Sequence, residues 1–238
     1  MAKRTVALGL RPTTPYTCLA WSVENRLVLG QMAVEEKSNE ITAVPQLMDM
    51  LDLKGCVVTA DALNCQKAVA AKAIEKKADY LLALKANLQV LFDEVSAYMD
   101  DLSGQSPPGF EQVEKDHGRI ETRRCWQSAS VDWHADKAEW PGLRSFVLIE
   151  SIREHGDTVE TSRRYYISSL PQGESYAAQS ARAHWQIENS LHWCLDVVFN
   201  EDQSRARTRN AAKNLGTLRS ICLNLLRRIP GKSSLKVE

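Results

Sequence analysis

No apolar run in this chain approaches the roughly 20 residues that a membrane-spanning helix needs, which argues against a helical membrane protein. The start, MAKRTVALGLRPTTPY, is basic, but its apolar part, VALGL, is too short for a signal-peptide core, so the expected compartment is the cytoplasm. Six cysteines at 18, 56, 65, 125, 194 and 222 make no CxxC or other paired spacing. That leaves no zinc-ligand pattern and points to reduced thiols, several of them core filler. The formal net charge is zero, so nothing global advertises a nucleic-acid partner. Acids are also missing locally: Met1 to Thr17 contains no Asp or Glu.

What is present is ordinary globular composition, 44% apolar and 25% charged, in 238 residues. That length suits one domain, with room for an insertion, and an enzyme-sized core. The most informative stretch is His184 to Asp202, HWQIENSLHWCLDVVFNED. Ile187, Leu191, Leu195 and Val198 recur at helical steps and mark a face packed on a core. Glu188 stands beside that stripe, and His184, Glu188 and His192 follow at i, i+4 and i+8, with Trp185 and Trp193 flanking. An acid there is either a paired structural carboxylate or one held for a metal or a proton. A zinc site on His184, Glu188 and His192 lacks a signalled further ligand and is set aside.

Taken in order, residues 17–35 read as a β-hairpin turning at Glu24-Asn25-Arg26. A helix is expected over 38–52, with Ser38 as N-cap and Pro45 irregular. Cys56 to Thr59 is a short buried strand ending at Asp61, residues 66–77 a helix, and Tyr80 to Leu84 a second buried strand. The strand–helix–strand order implies a parallel pair, and ligand crevices of such sheets lie at the carboxyl ends, where Asp61 sits. Its bland alternative is to cap the next turn.

A helix over 88–99 precedes an expected linker, DDLSGQSPPG, over 100–109. Residues 110–170 alternate apolar and charged positions as an antiparallel insertion or continuation of the sheet, with turns at Gly118 and Gly156. A last helix, 210–228, carries the stripe Leu215, Leu218, Cys222, Leu225 and stops at Pro230-Gly231. From Gln203 onward nine Lys or Arg residues face one acid, Glu238. That bias suits phosphate contacts through Arg205, Arg207 and Arg209, or else a solvated basic face.

The blocks HWQIENSLHWCLDVVFNED, VVTADALNCQKAVAAKAIEKKADYLLALKAN, ENRLVLGQMAVEEKSNEITAVPQLMDMLDLKG, DHGRIETRR, YYISSL and RNAAKNLGTLRSICLNLLRR together resemble the DDE transposases of bacterial insertion sequences, H-repeat-associated group. The resemblance covers about Leu19 to Arg228. It implies an α/β, RNase H-like mixed sheet flanked by helices, with a β-rich insertion, about 110–170, before the last catalytic helix. The corresponding division is a non-matching or disordered segment over 1–16, the transposase domain over 17–228, and a tail over 229–238. It also implies DNA as partner, a homo-oligomer on DNA, and a two-ion Mg²⁺ or Mn²⁺ site held by two aspartates and a glutamate.

By motif, Asp61 is similar to the second aspartate and Glu188 to the glutamate. Such chemistry needs hard oxygen ligands, because two ions about 3.5–4 Å apart must activate the attacking oxygen and neutralise the leaving one. The family's first aspartate lies in an Asp-Gly-Lys context on the first strand. Nothing here matches it, and Glu24, Glu35 and Glu36 fall in or after the hairpin. The expectation is therefore a copy truncated at or just after the first strand and inactive alone, with a non-catalytic DNA-binding or transposition-regulating fragment as the alternative. Ala181, His184 and Leu195 also stand where related enzymes carry Tyr, Arg and Lys around the glutamate, and His184 is taken as a substitute DNA contact.

Overall fold

The computed structural model describes residues 3–11, 16–34, 40–116, 118–206 and 208–229. Ser38, Arg207 and the Pro230-Gly231 stop lie outside them. Among the described residues no helix is long and apolar enough to cross a membrane.

Among the described residues nine strands form one sheet in the order β3-β2-β1-β4-β5-β9-β8-β7-β6. β1 (Arg4–Arg11), β2 (Tyr16–Ser22) and β3 (Leu27–Val34) make an antiparallel meander. β1, β4 (Cys56–Ala60) and β5 (Asp79–Leu84) run parallel. This is the RNase H-like arrangement. β4 is buried along its whole length, which is why CVVTA reads as a continuous β-branched run rather than an alternation.

Period-two alternation divides the core between the two faces. Val6, Leu8, Val58, Tyr80 and Leu82 point to the face covered by α1 (Glu40–Asp49), α2 (Lys67–Glu75) and α3 (Gln89–Gln105). Their alternates, Ala7, Val57 and Leu81, meet α4 (Glu174–Gln186) and the helical turns that follow it. The second half of the sheet, β6 (Phe110–Asp116), β7 (Arg119–Ser128), β8 (Ser145–His155) and β9 (Thr158–Ser168), joins antiparallel to β5 through β9. Gly118 and Gly156 take positive φ at its turns, a conformation that disfavours side chains with a Cβ.

Four sequence expectations need correction. The segment 1–16 is not disordered throughout, since β1 pairs on both edges at the centre of the sheet. The linker is shorter than its composition suggests: α3 runs to Gln105, because Asp100 binds Arg163 and the Tyr165 hydroxyl while Gln105 binds Asp101 one turn back. Tertiary partners outweigh the weak helix propensity of DDLSG.

The third correction is in the helix after α4, which winds as π-helix over Ile187–His192 and again over Cys194–Val198. Such wide turns concentrate at functional sites. The last concerns α5 (Ala211–Leu226), which turns its apolar stripe outward: Leu218 and Leu225 are 56% and 60% exposed, and Cys222 is exposed too. Its inward face is largely polar because it covers the sheet edge at β3. Asn224 accepts from the Val28 amide at 2.9 Å and donates to the Val28 carbonyl at 2.8 Å, and Ser220 donates to Gln31 at 2.7 Å. Those bonds satisfy an edge that would otherwise be open to another strand.

Candidate active site

β4 ends at Ala60, and the next residue, Asp61, leaves the sheet at its carboxyl edge. Its Oδ1 accepts from the Asn64 backbone at 3.2 Å and from Asn64 Nδ2 at 3.0 Å, capping the short turn Ala62–Asn64. Asn87, just beyond β5, donates to the Ala62 carbonyl at 2.8 Å and fixes that turn from the neighbouring strand. The capping role weighed for this aspartate is therefore real, and it also holds the carboxylate at the crevice.

Across the crevice, α4 delivers His184 and the first wide turn delivers Glu188. His184 Nδ1 lies 3.1 Å from the Thr59 hydroxyl, tying α4 to the strand that ends in Asp61. Thr59 is buried and shares strand parity with Asp61, so both face the α4 side. Burial pushes the His184 imidazole below its ordinary pKa, against the opposite pull of Asp61 and Glu188. The register sets Asp61 beside Gly9, and the Gly9 position faces the turn that carries Glu188. Glu188 is well exposed, its side chain at 59%, and its Oε2 is 3.1 Å from Nδ1 of the buried His192.

The neighbour of Asp61 on β1 is Gly9. Leu8 pairs with Ala60 in the parallel register, so Gly9 and Asp61 come next on adjacent strands. A Cβ built on Gly9 would meet Ile187 Cδ1 at 2.9 Å and His192 Cε1 at 3.7 Å, so this position faces the Glu188 turn. Glu24, the nearest acid in sequence, is committed elsewhere: its Oε1 accepts from the Thr5 amide at 2.7 Å, four residues back along β1 and so about 13 Å from Gly9 at the usual rise.

Of the residues singled out from sequence, Asp61, Glu188 and His184 come together. Arg205 and Arg209 are exposed on the loop before α5, and Arg209 has φ 47°. Thr59 and the glycine at 9 escaped the sequence reading, because only the strand register brings them to the site, whereas His192, noted on one helix line with His184 and Glu188, lies beside the Gly9 position.

The depressed imidazole has a consequence for stability. The unfolded chain binds a proton at His184 from about pH 6.5 downward, the folded chain only at lower pH, so stability falls as pH drops below that point. His184→Gln is expected to flatten the acid limb of a urea-denaturation series between pH 7 and 5. An unchanged limb would remove His184 from the account.

Residues 14–225 match the family model described as "Transposase DDE domain". The chain is 43% identical over 226 residues to "Putative transposase YncI" of Escherichia coli O157:H7, covering 92% of this chain and 58% of that one. It is 40% identical over 215 residues to "H repeat-associated putative transposase YhhI" of Escherichia coli K12, covering 87% and 57%. Among solved structures, a piggyBac transposase synaptic complex with hairpin DNA aligns at 13% identity and a TM-score of 0.46, over 95% of this chain and 46% of that one.

Proposed function

The chain belongs to the DDE transposases, in their H-repeat-associated group, and from that premise we propose that Asp61 and Glu188 are two carboxylates of a metal-dependent site for DNA strand cleavage and transfer. The observation that carries the reading is the convergence of the β4 end, the Gly9 position and the Glu188 turn on one face of the sheet. The chain spans 58% of the length of the YncI relative, so the activity of the whole protein is part of the proposal. We assign residues 17–228 to the transposase domain and about 110–170 to its insertion. The expected setting is the cytoplasm, with copies of the chain assembling on DNA.

Carboxylates suit Mg²⁺ or Mn²⁺, and two ions held a few ångströms apart need a bridging carboxylate and further ligands around it. Asp61 and Glu188 supply only part of that set. Among the described residues no group of three or more His, Cys, Asp or Glu could hold an ion. The donors do not fit a two-ion site, because a glycine stands on β1 beside Asp61 and Glu24 is bound at the other end of that strand. No cleavage step is therefore assigned to the chain as it stands. This favours the second reading for the isolated chain: it binds DNA, through Arg205, Arg207, Arg209 and His184, and regulates rather than executes transposition.

The test uses supercoiled plasmid incubated with the chain and either ion. The expected result is retardation on a gel that weakens steeply with salt, as counterion release predicts, and no nicking. Nicking that disappears in Asp61→Ala would overturn the incomplete-set reading.

A further inference from the structure

The two edges of the sheet are finished differently. At β3 the outer edge is bonded by α5, with Asn224 on both backbone groups of Val28 and Ser220 on Gln31. At the other end of the strand order stands β6, which among the described residues pairs with β7 alone. Its seven residues hold one register with β7 from end to end, with no bulge and no proline. Bulges and prolines are usual means of making an edge unfit for a further strand. Glu111, Gln112, Val113 and Lys115 are exposed, Val113 at 53%, so the strand stands at the surface.

Charged side chains are a further way to guard an edge, and β6 carries several. Their positions decide what they guard against. Glu114 turns to the α4 side, where it binds Arg182 at 2.8 Å, so by strand alternation Glu111, Val113 and Lys115 share the opposite face. Glu111 and Lys115 stand at equal distance on either side of Val113, one of each sign. Glu111 holds Arg124 at 2.6 Å yet keeps 45% of its side chain exposed, and Lys115 is exposed as well. A strand laid along this edge would meet an acid, a β-branched apolar residue and a base, in that order.

A second copy of the same strand is the partner this pattern fits. Residues directly opposite in an antiparallel pair share a face, so a two-fold axis normal to the sheet must pass through a residue position and not between two. Centred on Gln112, it would set Glu111 against Val113 and Phe110 against Glu114. Centred on Glu114, it would set two carboxylates against each other and Lys115 against Val113. Centred on Val113, it sets Glu111 against Lys115 twice, Gln112 against Glu114 twice, and Val113 against itself. Opposite charges and β-branched pairs across strands stabilise the pairing, and like charges oppose it. The charges of β6 therefore admit one register of this partner and disfavour the others. Such an isologous contact uses the same edge of both copies and closes as a dimer.

We propose that two copies of the chain join edge to edge through β6, antiparallel about Val113, with Glu111 of each copy opposite Lys115 of the other, so that the two sheets continue into one. This deepens the reading that copies of the chain assemble on DNA, and rests on that reading for the use made of the dimer. The pairing itself needs no DNA.

The experiment is sedimentation equilibrium of the full chain, without DNA, over a concentration series. The expected result is a monomer–dimer equilibrium, weak as befits a contact of one strand from each copy. Lys115→Glu and Glu111→Lys, each placing like charges opposite one another twice, are each expected to raise the dissociation constant on the order of ten-fold or more. Mixing the two single variants is expected to restore the dimer, because one of each makes both pairs opposite again. Melting curves monitor folding, since Glu111 also holds Arg124. Should Glu111→Lys unfold, Lys115→Glu and Val113→Lys carry the test, both at exposed positions, the second setting two lysines against each other on the axis. A chain that stays monomeric throughout the series overturns the proposal, and so does a dimer that these variants leave unchanged or that only Leu225→Glu on α5 dissociates. Single variants that dissociate and stay apart when mixed overturn the Val113 register. Plasmid retardation by a monomeric chain would leave the DNA reading intact, whereas a chain that dimerises through β6 and retards no plasmid would overturn that reading and not the edge.

Discussion

Gly9→Asp combined with Ile187→Ala is expected to confer Mg²⁺- or Mn²⁺-dependent nicking of supercoiled plasmid on a chain that otherwise leaves it intact. Two features of the register support this. Gly9 follows Leu8, whose parallel partner is Ala60, so a carboxylate at 9 would stand beside that of Asp61. A Cβ there points at Ile187 and His192, that is, toward the turn carrying Glu188. The single substitution is expected to fail. Ile187 is 1% exposed, and its Cδ1 lies 2.9 Å from the new Cβ, so a longer side chain must displace a packed one at about 1–3 kcal/mol.

Trimming Ile187 opens that space at the cost of a cavity elsewhere, which melting curves would register. Because phosphoryl transfer depends mainly on positioning and electrostatic stabilisation, a third carboxylate is expected to raise nicking by on the order of 10² over background. The gain must vanish when Asp61→Ala is added. A double variant that folds, binds DNA and remains inactive would show that the Gly9 position is not where the missing ligand belongs.

The parts of this molecule that local sequence determines were legible; those that depend on register were not. Cys56–Ala60 could be read as a doubly covered strand because burial on both faces leaves a continuous apolar run, and the Glu24–Arg26 turn because polar residues interrupt two such runs. Asp61 could be placed at a strand end for the same reason. Gly9 could not be recognised as the partner of Asp61, since 52 residues separate them and only the parallel pairing of β1 with β4 makes them neighbours. The wide turns after α4 were equally hidden: Ile187, Leu191 and Leu195 satisfy an α-helical stripe and are buried, but the backbone that buries them is π-helical. The arginines of the insertion look in sequence like the polar half of a strand alternation. They form a charged cavity only once α4 closes over them.

The apolar stripe of α5 offers the sharpest contrast between pattern and packing, and it yields a test by stability. Leu47 on α1 is fully buried against the sheet, with Cδ1 3.1 Å from the position a Cβ on Gly30 would take. Leu47→Ala removes three carbons from a close-packed site whose backbone neighbours on β3 cannot move inward. The expected loss is about 2–5 kcal/mol, from lost burial plus the residual void. For a domain of this length that corresponds to a fall in Tm on the order of 4–20 °C. Leu225 satisfies the same helical periodicity on α5 but is 60% exposed, because Asn224 and Ser220 are the residues turned toward β3. Leu225→Ala is therefore expected to stay within about 0.5 kcal/mol. Denaturation midpoints of the two variants decide between periodicity and packing. If Leu225→Ala costs as much as Leu47→Ala, and the cost grows with protein concentration, the outer face of α5 is covered by a second copy in solution, and the sequence stripe marked an interface rather than a core.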